Sequence, residues 1–265
     1  MAREARTFRA EGIVLRRRNV GEADSIFVVF GPELGKFEGV ARGIRKSRSR
    51  MRGHLEPLTF SRFLLARGRT LDVFTQAETI RSFPRIGGDL ERWAAASYYA
   101  QLVDRFTGED APHPELFELL FVALEALNDG SDPGSVSRYV EIHMLALAGF
   151  ELQVDACAAC SARLSPEETL LAPGAGGLVC RQCRPGAGVG RLVSVPAIKV
   201  LRYAARASLP QFTGLHIPGE VAEELQQALA GVIRYHLDRG LPTARLAREL
   251  SPGSNDPATP GADTL

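Results

Sequence analysis

No stretch of this sequence approaches the ~18–20 consecutive apolar residues that a membrane-spanning helix requires. The opening residues, Met1-Ala2-Arg3-Glu4-Ala5-Arg6, lack the apolar core of a secretory leader, so a cytoplasmic protein is expected. Catalytic signatures are missing too. Neither H-E-x-x-H nor G-x-S-x-G occurs, and the five histidines (His54, His113, His143, His216, His236) are scattered. Gly31-Pro32-Glu33-Leu34-Gly35-Lys36 falls one residue short of a phosphate loop, and Phe37 stands where magnesium needs a Ser or Thr. No carboxylate cluster marks a nuclease, and an enzyme is not expected. Lysine is scarce: among 32 cationic residues only Lys36, Lys46 and Lys199 are lysines. Cysteine is scarcer still, with four in the chain.

What is present suits a folded protein. Hydrophobic residues make up 45% of the 265 and charged residues 24%, which excludes wholesale disorder and permits a sizeable core. The length fits one large domain or two to three small ones. The net charge of +1 conceals an asymmetry. Residues 1–80 carry 16 Lys/Arg against 9 Asp/Glu, residues 81–150 carry 5 against 11, and the remainder is balanced. A basic module joined to an acidic one suggests a polyanion partner for the former.

Residues 1–80 read as short strands: Thr7 to Leu15, Asp24 to Phe30, Lys36 to Ile44, Leu58 to Ala66 and Leu71 to Ile80. Five strands in so short a span predict a small barrel, either an OB-fold or an SH3-like barrel. After Phe83-Pro84 the period becomes helical, with Leu90, Trp93, Ala94, Tyr98, Leu102 and Phe106 on one face. A second helix is expected from about Glu115 to Leu127. A third, capped by Ser135 or Ser137, runs to Ala148 before Gly149. Residues 155–192 are rich in Gly and Pro. Ser194-Val195-Pro196 opens another helix, and Pro218-Gly219-Glu220 a longer one whose stripe is Val221, Leu225, Leu229, Val232 and Leu237. The expected fold class is therefore α+β and multidomain. It comprises an OB-fold barrel (1–80) and a helical domain in two parts (81–154 and 193–250), with an inserted module at 155–192 and a disordered tail at 251–265.

All four cysteines, Cys157, Cys160, Cys180 and Cys183, fall in that inserted module as C-x2-C-x19-C-x2-C. Two such knuckles are the spacing of a tetrahedral four-thiolate zinc site. Disulfides compete with that reading but suit an oxidising compartment that nothing here indicates. Four sulfur ligands leave no position for a reactive water, so one structural Zn2+ is expected. Arg181, inside the second knuckle, and Arg184, just after it, are placed to offset the negative charge of the site.

Lys36, Arg42, Arg45, Lys46, Arg48, Arg50 and Arg52 fall within 17 residues, opposed only by Glu38. In a five-stranded barrel most of this run is the connection after the third strand, beside the face where OB-folds take single strands. Such a loop supplies sequence-independent, salt-sensitive affinity for phosphates, so these seven are candidate nucleic-acid contacts. Arg16-Arg17-Arg18 is a weaker second cluster. Phe27, Phe30, Phe37, Phe60, Phe63 and Phe74 are mostly barrel core, and the sequence does not show which of them stack on bases.

Several short runs, in order and spacing, carry a resemblance: Glu11-Gly12-Ile13-Val14-Leu15, Gly21-Glu22-Ala23-Asp24-Ser25-Ile26, Gly35-Lys36, Val40-Ala41-Arg42-Gly43 and Leu55-Glu56-Pro57. Together with the helical remainder and its four-cysteine insert, they resemble the bacterial RecO family of DNA repair proteins. The resemblance implies a recombination mediator that binds single- and double-stranded DNA through its OB-fold and anneals complementary strands without ATP. It further implies action with RecR and single-strand-binding protein in loading RecA, in the cytoplasm at the nucleoid. Lys36, Arg42, Arg45 and Lys46 then lie in the family's basic stretch, whereas Arg48, Arg50 and Arg52 rest on charge alone. The resemblance also implies that the helical domain engages the acidic C-terminal tail of single-strand-binding protein. Lys199, Arg202 and Arg206, spaced i, i+3, i+7 on one helix, are the candidate receptors. The alternative is a zinc-stabilised adaptor whose main ligand is protein and whose DNA binding is weak.

Overall fold

A computed structural model describes residues 6–109 and 111–237; the tail expected at 251–265 and the end of the second helical part lie outside the described residues. Five strands, β1 (Thr7–Val20), β2 (Asp24–Gly31), β3 (Gly35–Ala41), β4 (Phe60–Ala66) and β5 (Asp72–Arg81), close into a barrel in the order β1-β2-β3-β5-β4. β3 and β5 run parallel and the other pairs antiparallel, the Greek-key order of an OB-type barrel. β1 runs five residues further than its apolar pattern suggests. Its first half pairs with β4 and its second with β2, across a bulge between Val14 and Arg16 that lets one strand serve both neighbours. The second half escapes sequence reading because Arg16-Arg17-Arg18 breaks the alternation.

The inward residues of the barrel form their own core. Phe74 meets Phe27 and Phe63 edge to face, with centroids 6.1 and 5.2 Å away. Val14, Val29, Ala41 and Leu65 fill the space around them. A short 3-10 turn, Arg52–Leu55, plugs one end by burying Leu55 completely. On the outer face Ile13, Leu15, Val28 and Phe30 are equally buried, but in a second and larger core that the helices supply.

Those helices are α1 (Pro84–Gly87), α2 (Leu90–Phe106), α3 (Pro114–Asp129), α4 (Pro133–Leu147), α5 (Val195–Ala204), α6 (Leu209–Thr213) and α7 (Gly219–Leu237). Asp89 caps α2 by accepting from the Glu91 and Arg92 amides. The cap of α4 is not Ser135 or Ser137, as the sequence suggested, but Asp132, which accepts from the Ser135 amide at 2.7 Å. Pro133 then takes the first helical turn, where its missing N–H costs nothing. Ser137 instead donates to the Pro133 carbonyl inside the bundle. Beside it, Tyr98 donates to Glu141 at 2.8 Å, and Arg138 pairs with Glu141 at 3.1 Å. Burial, foremost, and the neighbouring Glu141 push the Tyr98 hydroxyl well above its ordinary pKa, so it remains a donor. On α7, Val221, Leu225, Leu229 and Val232 are buried and Leu237 is half-buried, with Ala228 and Ile233 completing the face.

Between α4 and α5 lies a three-stranded sheet that the sequence did not announce: β6 (Thr169–Ala172), β7 (Gly177–Val179) and β8 (Arg191–Val193), ordered β7-β6-β8. Its strands are three or four residues long, too short for periodicity to register. Alternation along β6 divides its burial. Leu171 faces the helical core, whereas Leu170 and Ala172 face the cysteines.

Candidate nucleic-acid interface and metal centre

The basic segment 42–52 leaves the end of β3 as an irregular loop held at several points. Ile44 is buried in the barrel core and anchors its beginning. The Arg45 amide donates to Ala23 O at 2.9 Å, and the Gly43 amide to Asp24 Oδ1 at 2.7 Å, which ties the loop to the β1–β2 turn. Arg52 folds back so that its guanidinium donates to the carbonyls of Ile44, Arg45 and Lys46. Arg45 directs one N–H to Gly21 O at 3.2 Å.

The seven sequence-predicted cations therefore divide. Arg42, Lys46, Arg48 and Arg50 are exposed, and their side chains make no hydrogen bond or ion pair among the described residues. Arg45 is exposed but partly engaged, and Arg52 is a clip. Lys36 is elsewhere. Its side chain is only 12% exposed, and its ammonium donates to the Asp104 and Thr107 carbonyls at 2.6 and 2.7 Å and pairs with the Asp104 carboxylate. It caps the C-terminal end of α2, where a cation complements the helix dipole. Gly35 precedes it with φ +70 and lies so close to the Ala111 backbone that a Cβ would collide with it. Of the Arg16-Arg17-Arg18 cluster, Arg16 pairs with Glu38 and Asp104, and Arg17 lies 3.7 Å from Glu56. Arg18 is exposed and has no such partner among the described residues.

The four cysteines come together. Their Sγ atoms all lie within 4.8 Å of one another, and Cys160 and Cys180 are 3.9 Å apart. A tetrahedron of ~2.3 Å metal–sulfur bonds has edges of about 3.8 Å, whereas a disulfide needs ~2.05 Å. All four thiols are free. The first knuckle turns at Ser161, which takes φ +60, while the Ser161 amide donates to Cys157 O. The Cys180 amide donates to Cys157 Sγ at 3.3 Å. Burial raises the Cys157 pKa, but amide donors from Cys180, Ala159 and Cys160 outweigh it and bring the thiol down to about 6. Cys183 goes the other way, up to about 12, because hydrogen bonding with Cys160 and Cys180 favours its protonated form. Four sulfurs this close do not all ionise unless a cation sits among them, and the cluster fits a tetrahedral metal ion that completes it. Four protein ligands fill that sphere, so the role is structural. Arg184 donates to the Glu168 carbonyl at 2.9 Å, and Arg181 is exposed.

The three cations do not share one helix: Lys199 and Arg202 lie on α5, whereas Arg206 sits in the turn beyond its end at Ala204. Lys199 is exposed, but its two expected companions are engaged. Arg202 donates to Val154 O at 2.7 Å, and Arg206 pairs with Asp155. Together they hold the segment that leads into Cys157.

A closed OB-type barrel with a cationic loop, fused through its outer face to a helical body with a metal-type cysteine cluster, defines an oligonucleotide-binding-fold protein with a structural metal module. The sequence matches the families described as "Recombination protein O N terminal" over residues 3–83 and "Recombination protein O C terminal" over residues 87–245. Among curated proteins it is 37% identical to the DNA repair protein RecO of Dehalococcoides mccartyi strain CBDB1, over 88% of this chain and 91% of the relative. It is 38% identical to that of Roseiflexus sp. strain RS-1, over 88% and 82%, and 32% identical to that of Desulfitobacterium hafniense strain Y51, over 97% and 94%. The chain belongs to the RecO family of DNA repair proteins.

Proposed function

We propose that this protein is a recombination mediator. It binds single- and double-stranded DNA and anneals complementary strands without ATP. With RecR it helps load RecA onto strands coated by single-strand-binding protein. The observation that carries this reading is the loop 42–52: Arg42, Lys46, Arg48 and Arg50 project as exposed cations, their side chains without partners among the described residues, from a backbone fixed at both ends. Two DNA backbones repel, and each phosphate neutralised releases counterions, so a rigid cationic rim lowers the cost of bringing strands together. Base pairing supplies the free energy, and no hydrolysis is needed. Arg52, engaged as a loop clip, serves this surface by shaping it rather than by touching phosphate, and Lys36, engaged as the cap of α2, lies apart from it. The metal is one Zn2+, held by Cys157, Cys160, Cys180 and Cys183. On α5, Lys199 remains for the acidic tail of single-strand-binding protein, while Arg202 and Arg206 support the metal module. A DNA substrate places the protein in the cytoplasm at the nucleoid.

The test is annealing of two complementary oligonucleotides, each coated with single-strand-binding protein, in the absence of ATP. Wild type should accelerate pairing, and the variant R42E/R48E/R50E should not, with its melting temperature unchanged. No acceleration by wild type at low salt would overturn the mediator reading in favour of a protein-binding adaptor.

A further inference from the structure

OB-type barrels usually take their ligands across strands 2 and 3, where exposed aromatic rings stack on bases. In this molecule that face consists of three cross-strand rows: Ile13–Phe30–Lys36, Arg16–Val28–Glu38 and Arg18–Ile26–Val40. The first two are roofed by helices. Phe30 packs against Phe117 of α3 with centroids 6.5 Å apart, and Lys36 is fastened to the end of α2. Arg16 bridges Glu38 to Asp104 of α2, so the middle row is tied down as well. Only the third row lies at a rim, two residues from Arg42, and its cation Arg18 is exposed.

The aromatics point the same way. Residues 6–81 contain no Tyr or Trp. Of the seven phenylalanines there, Phe27, Phe30, Phe37, Phe63 and Phe74 are buried. Phe60 packs against Phe117 and Phe121, and Phe8 lies beneath the Arg67 guanidinium, 4.1 Å from its ring centre. The His54 ring is tied through Nδ1 to the Thr79 amide and hydroxyl. Among the described residues, the barrel has no uncovered phenyl or indole ring to offer a base.

We propose that the barrel grips nucleic acid by its phosphates alone, along the rim formed by Arg18, Arg42, Lys46, Arg48 and Arg50, and leaves the bases turned outward and unstacked on protein. The inference rests on the DNA-binding reading above and adds to it the mode of grip. Its consequence is functional. A barrel that stacks bases hides the edges a second strand must find, whereas a phosphate-only grip presents a strand with its pairing edges free.

The experiment compares three ligands of equal length, about 30 nucleotides: oligo-dT, an abasic deoxyribose-phosphate strand and a dT strand with uncharged methylphosphonate linkages. Each is titrated with the full chain at several salt concentrations. The abasic strand should bind within about twofold of oligo-dT and with the same salt slope, while the methylphosphonate strand should lose most of its affinity. Thymines of bound oligo-dT should also keep their reactivity towards permanganate. A loss of about tenfold or more on the abasic strand, with oligo-dT still bound, would overturn the phosphate-only grip and leave the DNA-binding reading standing. Failure of oligo-dT itself to bind at low salt would overturn both.

Discussion

The barrel and the cysteine module are both small β-structures on one helical body, and they are held together by opposite means. The barrel closes five strands around three phenylalanine rings, Phe74 packed against both Phe27 and Phe63, with Leu55 as its plug. The module has three strands of three or four residues, and its own core is only Cys157, Leu170, Ala172 and Val179. At roughly 1.5–3 kcal/mol per large apolar side chain, the first collection supports a fold and the second does not. Where hydrocarbon is short, four clustered thiols are placed to supply cross-links through a metal ion.

Withdrawing the metal should break this contrast most visibly. Structural zinc sites carry apparent binding free energies on the order of 10 kcal/mol, so Cys180→Ser or a strong chelator should unravel the module first. Hydrogen exchange should then become fast at Leu170 to Val179 while Val14 and Phe63 in the barrel stay protected. Because Leu171, Leu178 and Val193 also line the helical core, a drop in melting temperature should follow. Retained protection after chelation would show that the module stands without metal. The reciprocal cut is Phe74→Ala, which should cost about 3–5 kcal/mol in a denaturant titration and leave metal content unchanged. A loss under about 1 kcal/mol would contradict the close packing described for the barrel core.

Neutralising the rim sharpens the barrel's side of the comparison, since the proposed DNA contacts sit on the loop and not in the core. The triple variant R42Q/R48Q/R50Q should alter stability by less than about 0.5 kcal/mol. It should reduce the salt slope for single-stranded DNA by about 2, near 0.7 for each phosphate contact removed. An unchanged slope would clear these three residues of phosphate contact. The smallest effect is expected between the two regions. His143 Nε2 donates to Ala204 O at 3.0 Å, and burial lowers its pKa below the ordinary value of 6.5. The unfolded chain then binds the proton more readily than the folded one, so stability falls as pH drops through and below about 6.5. His143→Gln should flatten that part of the stability profile, and a profile identical to wild type would dismiss His143 as its source.

How much of this was legible beforehand follows the physics of each element. The barrel announced itself because buried strands concentrate Val, Ile and Phe between glycine turns, and the long helices because their apolar faces recur. The four thiolates were legible because metal geometry fixes ligand spacing in the sequence. The sheet β6–β8 was not, since its strands are shorter than any detectable period. Nor was the division of labour among the cations. Charge density marked Lys36, Arg45 and Arg52 alongside Arg42 and Arg50, but whether a cation faces solvent or a carbonyl depends on partners such as Asp104, 68 residues away in the chain from Lys36. The Arg202 and Arg206 pairing with Asp155 lay hidden for the same reason.

The burial of Ile13, Leu15, Val28 and Phe30 beneath the helices bears on inheritance. A barrel cut away from its helices would carry an adhesive hydrocarbon stripe, and the helices would carry its imprint. Gene rearrangements that shuffle free-standing barrels between proteins would find this one a poor cassette, because either half alone courts aggregation. Lineages are therefore expected to transmit both halves as one unit, and drift at those four positions should be answered by compensating changes in the helices rather than tolerated singly.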